Sequence, residues 1–169
     1  MAKEESHVIA AIVEHKPGVL YSVSNMFRRR GFNIESITVG PTEQGELARM
    51  TITVNGDERV VEQMIKQMRK LIDVVRVVRL DPSNTVIREM ALVKVHTSDA
   101  RARSDIINYA NIFRARVVDV SSETIMVEIT GDSDKTNAFL ELMKSFGVEE
   151  IARTGITALS RGAKSVRME

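Results

Sequence analysis

Residues Pro17–Ser36 read PGVLYSVSNMFRRRGFNIES, and the rest of the chain organises outward from them. The stretch spells a strand-to-helix turn, an amphipathic helix, a glycine stop and the entry to a second strand. Gly18 lets the backbone turn tightly before the helix. Val19, Leu20, Val23, Met26 and Phe27 then recur at a 3.6-residue spacing on one face. Arg28, Arg29 and Arg30 fall in the last turn, where cations favour the negative end of the helix dipole, and Gly31 is placed to end the helix. A helix start reached through glycine offers free N–H donors to a small anion. No catalytic group stands nearby, so the segment reads as part of a small-ligand sensor.

Upstream, His7–Val13 (HVIAAIV) is an apolar strand. Downstream, Asn33–Val39 and Leu47–Val54 are strands, the latter with Met50, Ile52 and Val54 on one face and Thr51 and Thr53 on the other. Asn55-Gly56-Asp57 turns the chain, and Asp57 can cap a helix carrying Val60, Val61, Met64, Ile65, Met68, Leu71 and Ile72. Val74–Leu80 is a β-branched strand. The order β-α-β-β-α-β is the ferredoxin-like unit. Asp81-Pro82-Ser83-Asn84 then punctuates the chain, and the order repeats. Glu89–His96 is a strand, Ala100–Phe113 a helix, and Val117–Val120 and Thr124–Ile129 are strands. A Ser133-capped helix ends at Gly147, and Ile151–Leu159 closes the sheet. The expected fold is α+β, two ferredoxin-like βαββαβ domains at 1–80 and 85–160, with a polar, partly mobile tail at 161–169. Halves of about 80 residues bury only a marginal core, and open sheets leave edges and a face to cover. At least a dimer is expected.

Lys plus Arg number 24 against 23 Asp plus Glu, a net charge of +1, so no strong field favours nucleic acid or an acidic membrane. The absence of cysteine excludes disulfides, thiol catalysis and Cys-ligated metal. No apolar run reaches the roughly 18 residues of a membrane span. The start, MAKEESHVIAAIVEHK, puts acids ahead of a short apolar run, the reverse of a secretion signal. The expected location is the cytoplasm.

Gly18 and Asn33 are the candidate ligand groups. Helix N–H donors would take a carboxylate, and Asn33, with a donor and an acceptor, an amino or carboxylate group. The bland alternatives are a plain tight turn at Gly18 and a self-capping Asn33. No GxGxxG or GxxxxGK[ST] phosphate loop occurs. His7, His15 and His96 do not recur at metal-ligand spacing, and no Ser-His-Asp or Cys-His set can be assembled. Glu149-Glu150 and Asp132/Asp134 read as solvated charges. The basic residues Arg28–Arg30, Lys66, Arg69 and Lys70 lack the interleaved aromatics of a nucleic-acid surface. Met26, Met64, Met68 and Met143 read as core. The polar connection Val39–Glu46 is long enough to contact a partner.

The segment HVIAAIVEHKPGVLYSVSNMFRRRGFNIESITVGPTEQGELARMTITV closely resembles the start of the regulatory small subunit of acetohydroxyacid (acetolactate) synthase. QMRKLIDVVRV, REMALVKV, NIFRARVVDV and RTGITALSRG resemble later segments of that family in the same order, so the likeness spans nearly the whole chain. It implies an N-terminal ACT domain, an amino-acid sensor, and a C-terminal ACT-like domain. It implies no catalytic residues, metal or cofactor of the chain's own. The implied partner is a large catalytic subunit, a transferase of branched-chain amino acid biosynthesis carrying thiamine diphosphate, Mg and FAD. This chain would activate it and confer feedback inhibition by valine. Residue by residue, Gly18 with Val19 and Leu20 matches the family's first ligand loop, and Asn33 with Ile34 the second. Valine would lie between two ACT domains of a homodimer. His15, also in the first loop, stands where bacterial relatives often carry Asn. It bears on the choice among valine, leucine and isoleucine.

Two other functions compete. A free-standing amino-acid sensor could control transcription through a separate DNA-binding partner, since the chain has no helix-turn-helix of its own. A small enzyme on the same scaffold lacks an acid, base, nucleophile or metal set to support it. Fold alone does not separate these readings.

Overall fold

The computed structural model describes residues 5–166. The first half runs β1 (Glu5–Glu14), α1 (Val19–Arg29), β2 (Ser36–Pro41), β3 (Leu47–Gly56), α2 (Glu58–Met68) and β4 (Val74–Arg79). Its strands form one antiparallel sheet in the order β2-β3-β1-β4. Ile9 lies opposite Ile52, and Ala11 opposite both Met50 and Val77. That register puts Ile9, Ala11, Val13, Met50, Ile52 and Val54 under the helices, where they pack with Val23, Phe27, Val61, Met64 and Met68. The helical stripe in α1 is narrower than its spacing predicts. Val19, Val23 and Phe27 are buried, but Leu20 is 49% exposed beside Tyr21 at 71%.

The period-two reading of β3 orients the strand correctly, yet its polar face is not solvated. Thr51 and Thr53 retain only 2% and 6% of their accessible surface. Part of the cover comes from the far end of the sequence. On that face Thr38 Oγ1 donates to the Ile156 carbonyl at 2.7 Å, and Arg49 Nη2 to the Ala158 carbonyl at 2.7 Å. Contacts accordingly join residues 5–86 with 155–166 in one compact unit and leave Ile87–Thr154 as the other. The tail read as polar begins anchored: Arg161 N–H donates to Asn84 C=O, and Val166 is buried. Arg167–Glu169, like the chain start Met1–Glu4, lie outside the described residues.

Glycine is required where this return segment begins. A Cβ on Gly155 would stand 3.0 Å from Thr38 Cγ2 and 3.1 Å from the Ile37 carbonyl oxygen. Backbone cannot yield as a side chain can, so Gly155→Ala should cost about 1–3 kcal/mol. The check is urea unfolding, with unchanged stability showing that the segment is not seated on β2.

The second unit is built from β5 (Thr85–His96), α3 (Ala100–Ile112), β6 (Arg116–Val120), β7 (Thr124–Gly131), α4 (Ser133–Met143) and β8 (Val148–Arg153). Its antiparallel order β6-β7-β5-β8 repeats that of the first half. Ala91, Val93 and Val95 face Ile129, Val127 and Ile125 across the ladder and pack with Ile106, Ala110, Phe139 and Met143. Two expectations need correction. Asp132, not Ser133, caps α4 by accepting the Lys135 N–H at 2.9 Å; Ser133 Oγ instead donates to Glu89. The closing strand Ile151–Leu159 is two strands, β8 and β9 (Thr157–Ser160), parted by Thr154-Gly155-Ile156.

Candidate ligand site at the ends of helix α1

Asp57, Asp99 and Asp132 cap α2, α3 and α4, each accepting a first-turn N–H with its side chain. α1 begins differently. Gly18 occupies the cap position at φ 90°, ψ −16°, with no side chain to offer. Its left-handed conformation costs glycine nothing and most other residues about 1–2 kcal/mol. A Cβ placed there would meet no atom within 4 Å, so the space before the helix is open. The first-turn N–H groups and the dipole's positive end therefore face an unfilled position. Lys16, two residues before Gly18, is committed elsewhere: its Nζ contacts Glu14 and, at 2.7 Å, Asp73 Oδ1. Those two carboxylates hold its ammonium well above the usual lysine range. An anion at Gly18 would be recognised by backbone dipoles. His15 is exposed, and its N–H is spent on the Glu46 carbonyl at 2.8 Å, tying the first loop to the turn before β3.

The other end of α1 is closed by a Schellman motif. Phe32 N–H reaches Phe27 C=O at 3.0 Å, Gly31 N–H reaches Arg28 C=O at 3.1 Å, and Gly31 has φ 69°. The accompanying apolar contact is an edge-to-face pair, Phe27 with Phe32, 6.3 Å between centroids. Ile34 packs on the core, and Glu35 N–H joins Thr53 C=O at 2.9 Å. Asn33 is thereby held at a fixed, exposed position. Its Nδ2 donates to Glu35 Oε1 at 2.6 Å, which sets an amide and a carboxylate side by side on the surface. Glu35 is the member of this cluster that sequence reasoning missed. The available signal was a carboxylate two residues beyond Asn33, on the same side of an extended chain.

The two loops do not meet within one chain. An 11-residue helix separates them, about 16 Å at 1.5 Å per residue, and a free amino acid spans less than half of that. Each chain offers an anion-seeking end at Gly18 and a cation-seeking end at Asn33 and Glu35. The remaining histidines serve elsewhere: buried His7 donates from Nε2 to Gly56 C=O at 2.9 Å, and His96 lies beside Glu149 on the surface. No helix among the described residues is long and apolar enough to cross a membrane.

Comparison with known proteins matches this architecture along its length. Residues 9–76 match the small subunit-like ACT domain of acetohydroxyacid synthase, and residues 88–162 the small subunit of acetolactate synthase. A probable acetolactate synthase small subunit of Methanothermobacter thermautotrophicus is 57% identical over 162 residues, 96% of each chain. The corresponding protein of Archaeoglobus fulgidus is 53% identical over 94% of this chain and 98% of its own. The crystal structure of the acetolactate synthase small subunit from Thermotoga maritima superposes with a TM-score of 0.88 at 46% identity, covering 95% of this chain and 99% of that one. With two ACT-type units in sequence and full-length relatives this similar, the chain belongs to the acetolactate synthase small-subunit family.

Proposed function

We propose that this chain is a non-catalytic regulatory subunit, which activates a large catalytic acetolactate synthase subunit and makes it respond to valine. Membership of the small-subunit family is the observation that carries the reading. The ends of α1 support the effector. A zwitterion needs donors for its carboxylate and acceptors for its ammonium, and these lie about one helix length apart on a single chain. Two copies with their α1 helices antiparallel would set Gly18 of one beside Asn33 and Glu35 of the other. The site is then completed only in a homodimer, with Leu20 supplying apolar surface for a branched side chain, while Val19 packs into the core beneath it. Exposed Leu20 suits that role better than a place in the core.

Feedback requires valine to bind two states of the assembly with different free energies, a coupling typically of about 1–3 kcal/mol. By reciprocity the large subunit must change this chain's affinity for valine by the same factor. Calorimetric titration of valine into the chain alone and into the assembled enzyme should therefore give dissociation constants roughly 5- to 150-fold apart. Equal constants with inhibition still present would mean that valine acts elsewhere. Pyruvate turnover by the purified chain alone would sink the non-catalytic reading.

A further inference from the structure

We propose that the groove between α1 and α2 receives an acidic segment of the catalytic large subunit, an assignment that rests on the regulatory-subunit reading above. The groove encloses about 480 Å³. Arg29 and Arg30 enter it from the end of α1 and Lys70 from just beyond α2, over an apolar floor of Met26 and Leu71. Arg30 Nη2 donates to Gln67 Oε1 at 3.0 Å, which fixes one guanidinium and ties the helices together.

The charge in the groove is uncompensated. No carboxylate lines it, and among the described residues none of the three cations sits in an ion pair. Elsewhere Lys16, Arg79, Lys94, Arg116 and Arg153 are paired with acids, and exposed cations outside ion pairs, such as Arg59 and Arg101, do not share a cleft with two others. In a chain of net charge +1 this is a local excess. Cations at a helix C-terminus also favour the dipole, but that effect needs neither a cleft nor an apolar floor. Asp or Glu side chains flanking an aliphatic residue fit the surface, with Arg29 and Arg30 able to grip carboxylates bidentately. Single-stranded nucleic acid fits less well, because no aromatic side chain lines the groove for base stacking.

The groove is also joined to the ligand loop. α1 starts at the open Gly18 cap and ends at Arg29. A rigid helix that shifts when its first turn takes an anion moves both arginines with it. Effector binding and large-subunit binding would then bias one element, which is what coupling requires.

The test uses the full chain and its cognate large subunit, with the exposed pair changed to Arg29→Glu with Lys70→Glu, and to Arg29→Gln with Lys70→Gln. Affinity is measured across salt concentrations, and valine affinity of the free chain by calorimetry. The Glu variant should bind the large subunit more than tenfold more weakly and the Gln variant by a smaller factor. Both should show a flatter salt dependence and an unchanged affinity for valine. Wild-type affinity and salt slope in both variants would overturn the assignment. An oligonucleotide whose binding is lost in variants that keep the large subunit would overturn it in favour of nucleic acid. Failure of the unmutated chain to bind the large subunit would instead strike the regulatory reading itself, and it is seen before any variant is made.

Discussion

Replacing Arg153 with alanine should lower the stability of the chain by about 3 kcal/mol, the lower end of the range for breaking a buried ion pair. Glu89 lies on β5 with its side chain 4% exposed. Its Oε1 accepts from Arg153 Nε at 3.0 Å and also from Nη2, and its Oε2 from Ser133 Oγ at 3.3 Å. Arg153 Nη1 donates onward to Asn137 Oδ1 at 2.8 Å. One guanidinium thus ties β8 to β5 and α4. Without it the carboxylate stays in the interior with a single weak donor, and the cost comes mainly from that stranded charge. The arginine side chain is 31% exposed, so water moderates the loss. Urea unfolding of Arg153→Ala, Glu89→Gln and the double variant checks this. Glu89→Gln alone removes the charge that needs burying and should cost less, and the double variant should recover part of the Arg153→Ala loss. A loss below about 1 kcal/mol for Arg153→Ala would place the pair among ordinary surface bridges.

Most of this architecture is legible in local sequence because each element obeys a short-range rule. Residues 17–36 announce their helix through apolar spacing and a glycine stop, and the helix spans Val19–Arg29. Asp57 was readable as a cap because it follows Asn55-Gly56. Asp132 was not, because the adjacent Ser133 is an equally good capping residue and only geometry chooses between them. What escaped was decided at long range. Thr51 and Thr53 look solvated by their alternation, and nothing near them in sequence indicates that residues 155–166 return to the same compact unit. Ile151–Leu159 reads as one β-rich run, yet Gly155 sits against the β2 backbone and breaks it.

The candidate site divides in the same way. Gly18 was legible as a turn before a helix, and the structure adds its positive φ and the open space around it. Asn33 was legible as a polar group after the helix. Its pairing with Glu35 depends on a side-chain conformation that sequence does not dictate. The helix between the two loops was legible as well, and its length of 11 residues keeps Gly18 and Asn33 too far apart for one small ligand to touch both in a single chain.

Gly18→Asp should remove the response to valine while leaving the chain folded and able to activate the large subunit. The position tolerates the change structurally, because a Cβ there meets nothing within 4 Å. Asp is among the few residues that accept a left-handed backbone, so the conformational cost stays within about 1–2 kcal/mol. What the substitution adds is a carboxylate at the mouth of α1, where first-turn N–H groups and the positive end of the dipole would otherwise receive the effector's own carboxylate. The new group takes those donors from within the chain and repels an incoming anion. Valine affinity should fall by more than tenfold, at least about 1.4 kcal/mol, and inhibition of the assembled enzyme should vanish at concentrations that saturate the unmutated protein. Gly18→Asn separates charge from shape. It has nearly the same volume and tolerance of positive φ but no negative charge, so it should retain more affinity than the Asp variant. Asn33→Ala probes the opposite end of the site in the partner copy, where loss of the Oδ1 acceptor should weaken valine by about 1–3 kcal/mol. Calorimetry on the three variants, with activation of the large subunit measured alongside, decides the matter. Unchanged valine affinity in both Gly18→Asp and Asn33→Ala would mean that the ends of α1 are only a helix start and a helix stop.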